Sequence, residues 1–151
     1  MSEGPASDND LSADRLRHLS GEQNLQRILQ VEIIYERVTT LIGLRQCPNL
    51  RELCLIDTPG FDRIPDLSFC RNLARITITN QRISSLSAGG GLGSLPQLRE
   101  LYLQNNSIVS IDGLTGCLGL QKFVVVIIQQ SSRFGRDRSI GRFARALDTA
   151  G

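Results

Sequence analysis

Apolar and polar positions along the chain fall into a pattern that returns. In the stretch from Leu98 to Cys117 the apolar positions are Leu98, Leu101, Leu103, Ile108, Ile111, Leu114 and Cys117, with Asn106 between the two halves. Sliding this template along the chain finds it again. Leu73, Ile76, Ile78, Ile83 and Leu86 match, with Gln81 at the Asn position. Leu50, Leu53 and Leu55 match, with Thr58 at that position and one inserted residue before Ile64 and Leu67. Ile28, Val31, Ile33, Val38, Leu41 and Leu44 share the frame, with Glu36 at the Asn position, and Leu120, Phe123 and Val125 open a fifth copy. The copies start at 28, 50, 73, 98 and 120, so the periods are 22, 23, 25 and 22 residues. Strict alternation in the first half of each copy predicts a short strand, and the wider spacing after the Asn position predicts a turn and a 3₁₀ or loop return. One copy cannot bury its own aliphatic face, whereas stacked copies share one core.

The pattern L-x-x-L-x-L-x-x-N-x-I followed by I-x-x-L-x-x-L, at a period near 22, resembles the SDS22-like class of leucine-rich repeat. The resemblance covers Ile28 to about Val125. The class includes a protein phosphatase 1 regulatory subunit, a spliceosomal U2 protein and axonemal and ciliary scaffold proteins. The fold it implies is α/β: a right-handed leucine-rich-repeat solenoid with short parallel strands on the concave face and a helical N-terminal cap. Its implied partner is another protein, by resemblance a phosphatase, a ribonucleoprotein or a ciliary component.

Outside the repeats the pattern changes. An acidic, solvated, disordered stretch is expected over 1–11, and a helical cap over 12–27, N-capped by Ser12 and running to about Leu25 with Leu16 and Leu19 on one face. The repeat domain is expected over 28–128. Two insertions sit inside it: Ser87-Ala88-Gly89-Gly90-Gly91, expected as a bulge on the convex side, and the wider turn in Asp57-Thr58-Pro59-Gly60-Phe61. The run Phe123 to Ile128 is β-prone and uninterrupted, and Ile128 and Gln130 break the fifth copy's frame. Residues 129–151 carry five Arg against Asp137 and Asp148, with no repeat, and read as a basic disordered tail. Two accounts of it compete. It is an interaction segment, or the chain is a fragment or alternative product that leaves the repeat frame early; the missing polar cap favours the second.

Composition changes this picture little. Of 151 residues, 40% are hydrophobic and 5% aromatic, enough to bury a core of many small layers. The net charge of +2 is too small to imply nucleic acid or a lipid surface across the whole chain. No apolar run reaches membrane-spanning length, and the acidic start Met1-Ser2-Glu3-Gly4-Pro5, without an apolar h-region, is not expected to be a signal peptide. A cytoplasmic location is expected, with nuclear and ciliary sites consistent with it, and the four Cys are expected as thiols.

Several motifs imitate chemistry. Asp57-Thr58-Pro59-Gly60 follows an apolar strand and copies the D-x-x-G loop of GTPases, but the chain has neither a G-K-[ST] loop nor an N-K-x-D motif. Gly89-Gly90-Gly91-Leu92-Gly93 lacks the lysine of a phosphate cradle. Cys47, Cys70 and Cys117 share the template position of Leu95 and read as core residues, unpaired at zinc spacing. Cys54 lies on another row, with nothing basic near it to lower its pKa. His18 reads as a solvated helix residue. No catalytic residues, metal ligands or cofactor are expected, and no small-molecule substrate.

The strand residues between the core positions point out of the sheet. Their rows read Gln30, Glu52, Arg75, Glu100, Lys122; then Glu32, Cys54, Thr77, Tyr102, Val124; then Ile34, Ile56, Thr79, Gln104, Val126. The expected partner-binding residues are Glu52, Cys54, Ile56, Arg75, Thr77, Thr79, Glu100, Tyr102 and Gln104. The alternating charges of the first row also stabilise the sheet in their own right. The alternative function is an RNA- or ribonucleoprotein-associated module using the arginine tail, for which binding falls steeply with salt and vanishes on deleting 129–151.

Overall fold

A computed structural model of the chain describes residues 8–86 and 92–125. Five strands, β1 (Gln30–Ile34), β2 (Glu52–Ile56), β3 (Arg75–Thr79), β4 (Glu100–Leu103) and β5 (Lys122–Val125), form one parallel sheet in chain order. One helix, α1 (Ala13–Ser20), precedes them, and short 3₁₀ turns stand in the returns at Ile42–Gln46, Leu92–Ser94 and Asp112–Leu114. Parallel neighbours need long crossovers, and here each crossover is the rest of one period rather than a full helix.

The register follows the repeat frame. Leu53 pairs with Ile76 and Ile76 with Leu101, and Leu101 with Phe123. Leu53, Ile76 and Leu101 are at most 1% exposed, so the aliphatic positions of successive copies stack into one core. That core also takes in Cys47 and Cys70, in the row of Leu95, while Ile111, Cys117, Phe123 and Val125 pack against it partly covered. At each strand entrance, two successive amides donate to one carbonyl of the previous coil: Arg51 and Glu52 to Leu29, Ala74 and Arg75 to Arg51, Arg99 and Glu100 to Ala74. The backbone donors at the layer boundaries are thus satisfied between coils.

Side chains reinforce the same boundaries. Thr58 is fully buried and accepts from Gln81 Nε2 at 2.6 Å. Asn106, also buried, donates Nδ2 to the Ile78 and Leu103 carbonyls at 2.7 and 3.1 Å and accepts from the Ile83 amide at 3.4 Å. The asparagine row therefore works with substitutes, though the longer Gln81 leaves its Oε1 without a partner among the described residues. On the opposite flank, Asn49 Nδ2 reaches the Gln26 carbonyl and Asn72 Nδ2 the Pro48 carbonyl, at 2.9 and 2.8 Å.

The N-terminal expectations need two corrections. The helix stops at Ser20, not near Leu25, because Gly21 takes the left-handed conformation (φ 69°) and returns its N–H to the Arg17 carbonyl. Only Leu16 is buried; Leu19 is exposed. The start is as expected, with Ser12 Oγ accepting from the Arg15 amide at 3.2 Å. The solvated stretch does not extend over 8–11 either. Leu11 is fully buried, its amide donates to the Thr40 carbonyl at 3.0 Å, and its own carbonyl accepts from Gly43 N at 2.8 Å. A Cβ on Gly43 would stand 2.3 Å from that carbonyl, so glycine is what lets the segment sit down. Arg15 ties α1 to the turn after β1 through Glu36 Oε2 at 2.6 Å. Residues 1–7, the 87–91 insertion, the end of the Phe123–Ile128 run and the 129–151 tail lie outside the described residues.

Candidate functional site

Strand pleating puts alternate residues of every strand on the side away from the core. The observed pairs reproduce the outward rows: Glu52 with Arg75, Arg75 with Glu100, Glu100 with Lys122; and Cys54 with Thr77, Thr77 with Tyr102. Ile56 pairs with Thr79. Gln104 lies one residue beyond β4, so it continues the third row from the turn; its carbonyl accepts from the Asn80 amide at 3.3 Å. All nine expected residues therefore belong to one surface.

That surface is internally bonded. Arg75 grips Glu100 with two donors, Nε at 3.1 Å and Nη2 at 3.2 Å, and reaches Glu52 with Nη1 at 3.4 Å. Tyr102 Oη donates to Glu100 Oε2 at 2.7 Å. Lys122 sits over the Tyr102 ring, 5.4 Å from its centroid. The hydrogen bonds from Arg75 and then Tyr102 hold the Glu100 carboxyl below its ordinary range. Glu100 accepts three hydrogen bonds from two side chains, and Tyr102 is held at its hydroxyl and over its ring face. Such a side chain meets a partner with little rotamer freedom left to lose.

Cys54 pairs with Glu32 of β1 in its own row and stands two residues after Glu52 on β2. Burial first, then those two carboxylates, push its thiol up, so it is a poor nucleophile at neutral pH. Cys70, buried beside Cys47, is pushed up to about 12 mainly by burial. The D-x-x-G look-alike is a turn: Asp57 accepts from Asn80 Nδ2 at 2.9 Å, Thr58 is buried, and Gly60 lies so close to the Val38 carbonyl that a Cβ would stand 1.9 Å from it. No group of three His, Cys, Asp or Glu among the described residues is placed to hold a metal ion.

One row was not singled out in the sequence. Tyr35, Asp57, Asn80 and Asn105 close β1 to β4, and each has positive φ, between 51° and 60°. The last three form a ladder at the sheet's lip: Asn105 Nδ2 donates to Asn80 Oδ1 at 2.8 Å, and Asn80 in turn to Asp57. Asp and Asn tolerate this conformation. Three Asx residues at one template position were the available signal, hidden because Tyr35 breaks it.

No protein-family model matches the chain. Leucine-rich repeat-containing G-protein coupled receptor 5 of Rattus norvegicus is 32% identical over 91 residues, 58% of this chain. The chain spans about a tenth (10%) of that relative's length. Among solved structures, an internalin (inlF) of Listeria monocytogenes has a TM-score of 0.48 at 19% identity, covering 76% of this chain and 42% of its own. Internalin C2 (inlC2) of the same species has a TM-score of 0.35 at 16% identity, over 79% of this chain and 85% of its own. The chain is thus similar to a leucine-rich repeat-containing receptor over 91 residues, in a fold of parallel strands with few helices.

Proposed function

We propose that the chain is a non-enzymatic protein-interaction module, a right-handed solenoid of the SDS22-like class with α1 as its N-terminal cap, which docks a partner on the concave face of its sheet. The single observation that carries this reading is the preorganised cluster of Glu52, Arg75, Glu100, Tyr102 and Lys122, on two adjacent outward rows across β2 to β5. Its charges are locked into fixed geometry before any partner arrives, which favours specificity over bulk adhesion. Around it, Cys54, Ile56, Thr77, Thr79 and Gln104 offer a rim of small polar and apolar groups, and Tyr102 is the aromatic anchor. Similarity to a leucine-rich repeat-containing receptor supports a binding role. A scaffold role in a reducing, cytoplasmic setting belongs to the same proposal, supported by four free cysteines.

The test is a paired photo-crosslinking and pull-down experiment. A photoreactive residue at Thr77, on the face, is expected to capture a partner that the same residue at Ser84, on the exposed return, does not. A Glu100→Ala, Tyr102→Ala double substitution is expected to abolish that capture while circular dichroism stays unchanged. Capture that survives the double substitution in a folded protein overturns the reading.

A further inference from the structure

β1 ends the sheet: among the described residues it pairs only with β2. The Leu29 carbonyl and the Tyr35 amide both face β2, the first accepting from Arg51 and Glu52, the second donating to Ile56 at 3.0 Å. Backbone groups alternate sides along a strand, so the N–H and C=O groups of Gln30, Glu32 and Ile34 point off the open edge. That edge is not blunted by a bulge, a proline or a lysine. Beside it runs a groove of about 640 Å³ between α1 and β1, lined by Leu16, Leu19 and Ser20 on one side and Gln30 to Glu32 and Ile34 on the other. Seven large apolar side chains stand exposed among the described residues, and four of them, Leu19, Leu29, Ile34 and Tyr35, flank this one edge.

We propose that the β1 edge is a second docking site, distinct from the outward rows of β2 to β4, which takes an extended segment of a partner protein as a sixth strand. The charge of the edge selects the segment. Glu32 stands exposed without an ion pair among the described residues, and Glu52 is the nearest charged side chain on the next strand, its own arginine shared with Glu100. Burial first, and then these two carboxylates, push the thiol of Cys54 up. A strand laid against β1 therefore carries a lysine or arginine opposite Glu32 and an apolar residue two positions away opposite Ile34. Its alternate side chains are apolar and enter the groove against Leu16 and Leu19. Self-pairing of two β1 edges centred on residue 32 would set one Glu32 against another, which disfavours a second copy as the occupant.

Blocked hexapeptides test this by fluorescence anisotropy on the full chain. One alternates valine with threonine and carries a central lysine; a second has glutamate in its place; a third is the lysine peptide N-methylated at alternate amides. The lysine peptide is expected to bind about tenfold more tightly than the glutamate peptide, and the N-methylated one not at all. Glu32→Lys is expected to reverse the charge preference. Glu32→Pro, which removes an edge donor while leaving the amides facing β2 intact, is expected to abolish binding with unchanged circular dichroism. The Glu100→Ala, Tyr102→Ala protein is expected to bind the lysine peptide as the wild type does, which separates this site from the sheet face. No binding of the lysine peptide, equal binding of the N-methylated peptide, or indifference to Glu32→Lys each overturns the proposal. So does sedimentation showing a dimer that Glu32→Pro dissolves, since the occupant is then a second copy.

Discussion

Asn106 joins two coils through one carboxamide. Its donor serves carbonyls of β3 and β4 and its acceptor serves the Ile83 amide, all away from water. Asn106→Ala strands those groups, and a loss of about 2–3 kcal/mol is expected in urea unfolding. Tyr35 is the opposite case. It occupies the left-handed conformation (φ 60°) that its counterparts Asp57, Asn80 and Asn105 adopt at lower cost, and it is 79% exposed, so little packing offsets the strain. Tyr35→Asn is expected to raise stability by about 0.5–1 kcal/mol, since asparagine suits the backbone and can extend the Asx ladder to Asp57. A shift of the unfolding midpoint to lower urea would contradict this.

At the scale of the strands, the ion-paired row makes stability depend on acid. The Glu100 carboxyl is held below its unfolded value by Arg75 and Tyr102. Its contribution is therefore complete above the unfolded pKa, about 4.3, and is lost as pH falls through the lower folded value. Unfolding curves recorded from pH 6 down to pH 3 are expected to show a steeper loss of stability in the wild type than in Glu100→Gln. Parallel curves would mean that the carboxylate is not held by its neighbours. The row was readable in the sequence as alternating signs at one template position. That Lys122 turns to the Tyr102 ring rather than completing the charge ladder was not, because the choice between two acceptors depends on side-chain geometry that spacing does not encode.

For the whole molecule, what could be read in advance was what depends on period alone. Aliphatic spacing specifies which residues face the core, so the stacking of Leu53, Ile76 and Leu101 followed directly from the copies' starts. The candidate face followed too, as the complement of the core. What escaped depends on single backbone events. Gly21 ends α1 early, Gly43 admits the Leu11 carbonyl, and the strand-end residues turn left-handed. Each is a property of one residue's dihedral angles, invisible to a pattern of apolar positions. The same layering predicts a gradient. Amides of β2, β3 and β4 have strands on both sides, whereas β1 has one neighbour among the described residues. Hydrogen exchange is expected to be slowest at Leu53, Ile76 and Leu101 and faster by an order of magnitude or more at the edge amide of Glu32.

The strands follow one another across the sheet in chain order, and each coil enters with the same pair of amides on the same carbonyl of the coil before. Size is consequently a free variable of this architecture. Excising Glu52 to Ala74 would join Arg51 to Arg75 and offer β1 a new neighbour whose core residues, Ile76 and Ile78, stand where Leu53 and Leu55 stood. The molecule would shorten by one rung and keep its cross-section, and only a ligand wide enough to span several rungs would register the change.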